Sequence, residues 1–163
     1  MYIEKYWGDY IGGTDDSLTL TDYLAKKNRK EIALSEIFSD FGADTLFGGF
    51  RQTSPPLVFT DPEGWEMGIE CAIDLVSDLA ALLLECKVNG SVDLLELDET
   101  LELDEEDSVI RIAATDKEYG QIDKILADFA ESPMAYDICE VDTEDSVRAL
   151  AAVCRKLREE LFG

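Results

Sequence analysis

The sequence predicts one α+β domain over residues 1–163, with helices packed against a sheet of about four or five strands and a central buried helix near residues 74–88. Three observations support this prediction: a helical run that is apolar nearly all round, an alternating run before it, and a C-terminal third that reads as strand, helix, strand and helix. With 163 residues, of which 46% are hydrophobic, the chain can bury one sizeable core.

The central helix is predicted over residues 74–87. Asp74 can cap its start, and Asn89 with Gly90 can end it. Apolar residues at helical spacing cover most of its circumference, so we expect other elements to surround it. These residues are Val76, Leu79, Ala80, Leu83 and Cys86, extended by Leu75, Leu82 and Leu84. The run is too short to span a bilayer and contains charged residues.

The elements before this helix are predicted from helix-capping residues, apolar residues at helical spacing and turn residues. Residues 1–13 read as a short extended segment with a tight turn, and helices are expected over 17–27 and 35–41. A strand over 57–60 is followed by Asp61-Pro62-Glu63-Gly64, which has a type I turn signature. Alternation over 65–74 then predicts the second strand of a hairpin that leads into the central helix.

The elements after the central helix complete the predicted domain. One or two short strands are expected within 92–107, and a longer strand over 108–114. A helix follows over 116–131, then a last strand over 135–141. The final helix begins at residue 142 or 143, with acids at its start and basic residues further along.

Negative charge is the strongest feature of the composition. The chain has 37 acidic and 14 basic residues and a net charge of −23. Phosphates would be repelled, so we expect no nucleic-acid partner. A basic protein partner is favoured, because opposite fields steer encounter. The absence of a basic-then-apolar leader and of a long apolar run predicts a protein that is not inserted in a membrane and stays in the cytoplasm.

The motifs give little support for catalysis. The chain has no histidine, so the usual general base is missing, and none of its four cysteines forms a Cys-x-x-Cys pair. The acidic stretch from Asp98 has Leu103 and Val109 where a calcium-binding EF-hand loop needs Gly and Glu. We therefore expect no enzymatic activity, no cofactor and no dedicated metal site, and the cysteines are interpreted as buried free thiols.

One acidic tract is the best functional candidate. Nine of the 15 residues from Asp93 to Asp107 are acidic, and leucines are interleaved with them. A solvated linker does not need these leucines, so we expect them to fix an acidic ridge to the core. Trp7, Tyr10, Phe47, Phe50 and Trp65 are candidate interface anchors, since Trp and Tyr dominate binding energies; core packing is the alternative for at least half of them.

The predicted partner-binding residues combine the ridge, the hairpin turn and three aromatic side chains. They are Asp61, Glu63, Trp65, Glu66, Asp98, Glu99, Glu102, Asp104, Glu105, Glu106, Asp107, Trp7 and Tyr10.

Three segments of the first half are distinctive as a set: the residues from Trp7 to Leu18, from Phe59 to Glu66 and from Ala72 to Cys86. In these segments the chain resembles the predicted immunity proteins of bacterial polymorphic toxin systems. This resemblance implies a small cytoplasmic protein that binds and neutralises a cognate toxin domain, with no catalytic residues to carry over. The negative charge agrees with a basic toxin such as a nuclease, because an acidic inhibitor can mimic the phosphate backbone of the nucleic acid that a nuclease binds.

Two other functions stay open from the sequence. One is an acidic adaptor or regulatory domain that binds a cellular protein, with the acids serving solubility. The other is a carboxylate-based hydrolase, which would need an apolar-lined cleft with two acids of unequal pKa. The sequence does not specify the oligomeric state.

Overall fold

The fold is described from a computed structural model that covers residues 1–163, with the side chains of residues 45, 47 and 48 outside the description. The helices are α1 (Asp15–Lys27), α2 (Leu34–Phe41), α3 (Ala72–Asn89), α4 (Leu94–Leu97), α5 (Asp116–Glu131) and α6 (Glu144–Phe162). The strands are β1 (Glu31–Ala33), β2 (Phe47–Phe50), β3 (Leu57–Thr60), β4 (Glu66–Ile69), β5 (Val92–Asp93) and β6 (Val109–Ala113). The predicted α+β class is confirmed.

Helix α3 is the centre of the domain, as predicted. Every residue from Ala72 to Glu85 is buried, and α1, α5, α6 and β6 all contact the helix. A 3-10 turn at Tyr2–Lys5, within the segment predicted to be extended, also contacts it. Gly90 ends it with a φ of 85°, in the left-handed region that glycine adopts without strain. The start differs slightly from the prediction, because the helix begins at Ala72 with Cys71 as its N-cap residue and not at Asp74.

The acidic residues of α3 hold the N-terminal segments. The Ile3 N–H donates to the Glu85 carboxylate at 3.1 Å, and the Gly12 N–H donates to Asp78 Oδ1 at 3.0 Å. In the opposite direction, Asp16 of α1 accepts the N–H groups of Glu70 and Cys71, at 2.7 and 3.0 Å, just before α3 begins. These side chains satisfy backbone donors that would otherwise be buried without partners.

The strands form two small sheets. In the first, the order is β1, β6, β5, with β1 parallel and β5 antiparallel to β6. In the second, β3 and β4 form the predicted hairpin, with Leu57 opposite Ile69 and Thr60 opposite Glu66. The inward residues of this hairpin, Leu57, Met67 and Ile69, are buried, and its outward residues are exposed. Among the described helices, none combines the length and apolarity that a bilayer crossing requires.

Three predicted strand segments are corrected by the structure. Residues 135–141 form 3-10 turns and not a strand, because the backbone bonds locally, with the Cys139 N–H donating to the Tyr136 carbonyl at 3.2 Å. Burial of Tyr136 and Ile138 produces the alternation that resembled a strand. Within 92–107, the strand stops after two residues and α4 follows. The strand predicted from 65 ends at Ile69, because the next two N–H groups, those of Glu70 and Cys71, donate to the Asp16 carboxylate and not to a neighbouring strand.

Candidate functional site

The hairpin turn between β3 and β4 presents the most exposed tryptophan. Asp61 Oδ1 accepts the N–H groups of Glu63 and Trp65, each at 2.9 Å, and the Gly64 N–H donates to the Asp61 carbonyl at 3.0 Å, as the predicted turn requires. Gly64 takes a φ of 91°, which disfavours other residues there. The turn is therefore fixed by its own hydrogen bonds, and it holds Trp65 67% exposed.

A groove of about 730 Å³ lies beside this turn and brings together two of the predicted acidic segments. Its walls are one face of α1, strand β4 and the segment 98–102. Helix α1 contacts both β4 and α4, which explains why segments more than 30 positions apart in sequence meet there. The lining residues are Leu18, Thr19, Asp22, Ala25, Lys26, Glu66, Met67, Gly68, Asp98, Thr100, Leu101 and Glu102.

The groove has an excess of negative charge. Asp22, Glu66, Asp98 and Glu102 contribute four carboxylates to its lining, against one ammonium group from Lys26. That ammonium group lies 3.6 Å from Asp22 and 3.7 Å from Asp61, so it is already shared by two acids. Within the described side chains, Glu66, Asp98 and Glu102 have no ion pair with a lysine or arginine. The groove can therefore offer unneutralised carboxylates to a cation.

The acidic ridge is attached to the core by its leucines, as predicted. Leu94 is buried, and Leu97, Leu101 and Leu103 are partly buried against the core. Asp98 accepts the N–H and the hydroxyl of Thr100, at 2.9 and 2.6 Å, and so orders the start of the segment. Glu99 is exposed beside the groove-lining residues. Asp104, Glu105, Glu106 and Asp107 lie further along, in an exposed 3-10 turn that is not part of the groove lining.

The remaining predicted aromatic anchors lie elsewhere. The Trp7 ring is partly buried and lies against Gly12, where an added Cβ would be 2.2 Å from it. Tyr10 is 42% exposed in the loop that follows. Phe50 is buried, with its ring 5.9 Å from that of Phe38, which favours the core-packing alternative for it. The Phe47 side chain lies outside the described residues. The groove thus collects Glu66, Asp98 and Glu102, with Asp61, Glu63 and Trp65 in the adjoining turn.

A second acidic cluster was missed by the sequence reasoning because it is internal. Asp16, Asp74 and Asp78 are all buried where α1 meets α3. Burial raises the pKa of Asp78 to about 7, against the effect of its hydrogen bonds from Ser17 and the Gly12 N–H. Burial, then the hydrogen bond and the charge of Asp16, raise the pKa of Asp74. A usable signal existed: acids four residues apart on a helix that is apolar all round must be buried with it.

A model of one protein family matches residues 2–161 of the chain, and its description is Immunity protein 68. No curated protein and no solved structure matches the chain.

Proposed function

The chain belongs to the Immunity protein 68 family, so its expected partner is a toxin, and we propose that it neutralises a basic bacterial toxin domain by binding it without catalysis. The proposed binding surface is the acid-lined groove with the Trp65 turn and the acidic ridge. The proposal places the protein in the cytoplasm of a cell that carries a polymorphic toxin system. A nuclease is the toxin class that such a surface fits best.

The observation that carries the proposed surface is the meeting of strand β4, which directly follows the Trp65 turn, and the segment 98–102 at one groove. The two segments are distant in sequence, and each contributes carboxylates to the groove lining. Their convergence concentrates carboxylates that the protein itself leaves unpaired. A partner that supplies arginine or lysine side chains would neutralise them and form charge-assisted hydrogen bonds.

The two parts of the surface have separate physical roles in this proposal. Exposed carboxylates of the ridge act at a distance and raise the association rate, an effect that salt screens. Trp65 acts in contact, because an exposed indole that becomes covered buries a large apolar area and is typical of the residues that dominate binding energy. A nuclease active site, built to hold phosphates, is complementary to such a carboxylate array.

Of the two alternatives, the hydrolase fits the geometry less well. A carboxylate-based hydrolase needs its acids of unequal pKa in a cleft that admits substrate. The two carboxyls with a raised pKa, Asp74 and Asp78, are buried in the interior and are not in the groove lining. An adaptor for a cellular protein would use the same surface, and only the identity of the partner separates that alternative from an immunity role.

The test is a binding titration against the C-terminal domain of the protein encoded immediately upstream, at about 50 mM and about 500 mM salt. We expect tight binding with an association rate that falls with salt, together with loss of the toxic activity. Tight binding that is indifferent to salt would keep the immunity role and remove the acidic surface from it. Failure to bind any adjacent toxin domain would favour the adaptor.

A further inference from the structure

Three potential metal ligands from two separate chain segments meet in the interior. Asp16 comes from the first turn of α1, while Cys71 and Asp74 come from the start of α3. All three are buried, and one oxygen or sulfur atom from each lies within 4.8 Å of the others. A tetrahedral zinc ion with bonds of about 2.0 to 2.3 Å separates its ligand atoms by about 3.5 Å. A decrease of at most about 1.3 Å in these separations would therefore bring the three atoms to coordination distance of one ion.

Two buried carboxylate oxygens in and beside this cluster have no hydrogen-bond donor among the described residues. Asp74 is 6% exposed, its carboxyl lies against that of Asp16, and its Oδ1 has no hydrogen-bond donor among the described residues. Asp78 lies one helical turn further on the same face of α3, is 2% exposed, and its Oδ2 is also without a described partner. Buried carboxylate oxygens are normally paired, because removing them from water is costly. No described lysine or arginine forms an ion pair with either residue.

We propose that Asp16, Cys71 and Asp74 bind one zinc-type divalent cation. One thiolate with two carboxylates is a donor set for Zn²⁺, whereas Mg²⁺ and Ca²⁺ select oxygen ligands alone. Asp16 also accepts two backbone N–H groups, which orient its carboxylate and leave further lone pairs for an ion. The site is independent of the proposed toxin-neutralising function.

The position of the site gives the ion a structural role. It would join the start of α1 to the start of α3, directly behind β4, which forms one wall of the groove. Because the ligands are fully enclosed, the ion would enter during folding and release the protons of its ligands. The experiment therefore uses chain that is unfolded, stripped of metal and refolded with the ion present.

The test is refolding with Co²⁺, a spectroscopic substitute for Zn²⁺, followed by absorption spectroscopy and native mass spectrometry. We expect one ion per chain, a thiolate-to-cobalt charge-transfer band in the near ultraviolet, loss of the band when Zn²⁺ displaces Co²⁺, and a higher melting temperature with either ion. Refolded protein that holds no ion, or a cobalt spectrum without the thiolate band, would overturn the proposal and leave a proton shared by Asp16 and Asp74.

Matched cysteine variants locate the thiolate. Cys71→Ser should abolish the charge-transfer band, while Cys154→Ser, which removes another buried thiol from α6, should retain it. Loss of the band in Cys154→Ser and its retention in Cys71→Ser would contradict the assignment. If Cys71→Ser does not refold, the wild-type spectrum alone decides whether a thiolate binds the ion.

Discussion

The carboxyls at the junction of α1 and α3 and the carboxyls around the groove have the same chemistry and opposite surroundings. Asp16 and Asp78 are buried and accept backbone N–H groups from distant segments. Glu66 and Glu102 are exposed and have no ion pair among the described side chains. The first group is used by the fold, and the second is left available to a partner. In so acidic a chain, composition alone does not distinguish them; burial and hydrogen-bond partners do.

Asp61 is intermediate between the two groups. Its side chain is 8% exposed, and it holds the turn that displays Trp65. It therefore contributes to the proposed surface through the position of its neighbour. This distinction between positioning and contact separates it from Glu66, although both were predicted as partner-binding residues.

The largest expected effect is loss of stability on removal of a buried acceptor. Asp16→Ala leaves the buried N–H of Cys71 and the part-buried N–H of Glu70 without their acceptor, and should lower the free energy of unfolding by about 3 kcal/mol. Chemical denaturation in the presence of a chelator measures this. The matched control is Asp15→Ala, an exposed neighbour in the same helix turn, which should change stability by less than about 0.5 kcal/mol. Equal effects would remove the distinction between the two groups of acids.

The second effect concerns binding alone. Trp65→Ala should weaken binding to the toxin domain by about 2 kcal/mol, roughly 30-fold, with little change in stability, because its side chain is mostly in solvent before binding. Calorimetric titration and thermal denaturation give the two quantities. Tyr10→Ala removes another exposed aromatic ring outside the groove lining and should affect binding less. The reverse order would move the interface to the loop that contains Tyr10.

A third comparison uses two double variants with the same change in net charge, one in the groove lining and one outside it. The double variant Glu66→Lys, Glu102→Lys should raise the dissociation rate about tenfold, because contact is lost. The double variant Glu105→Lys, Glu106→Lys makes the same change in charge away from the groove lining and should mainly slow association, by a few-fold. Stopped-flow kinetics separate the two rates. Identical behaviour would mean that only the overall field matters.

The smallest effect is at a partnered carboxylate near the surface. Hydrogen bonds from Arg51, then Tyr136, lower the pKa of Asp128 from 3.8 to about 2. A lowered folded-state pKa gives stability that is present above about pH 4 and is lost as the pH falls towards 2. Asp128→Asn should remove this part of the pH–stability curve, which solvent screening keeps below about 1 kcal/mol. Acid titrations followed by circular dichroism test this prediction, with Glu131→Gln as the control. An Asp128→Asn variant that loses stability between about pH 4 and pH 2 as the wild type does would contradict the assignment.

The sequence predicted local features well because they depend on nearby residues. Helix α5 covers Asp116–Glu131 as predicted, the Asp61–Gly64 turn forms as expected, and the apolar faces of α1 and α6 point to the core. Strand β1 was missed because three residues show no periodicity, and it exists only through parallel pairing with β6. The convergence of β4 with the segment 98–102 was not predictable either, since α1 creates it through tertiary contacts. The acids were identified, but not which of them would be buried.

The hydrogen bonds that the acids of α3 accept from the N-terminal segment also have a kinetic consequence. The acceptor of the Ile3 N–H, Glu85, lies 82 residues later in the chain, and the acceptor of the Gly12 N–H, Asp78, lies 66 residues later. During synthesis, the N-terminal segments therefore cannot reach their final partners until α3 has left the ribosome. Such long-range contacts slow folding, because the chain loses the entropy of loop closure before the contacts form and stabilise it. The first dozen residues, which contribute little to the groove, are expected to be among the last parts of the molecule to become ordered.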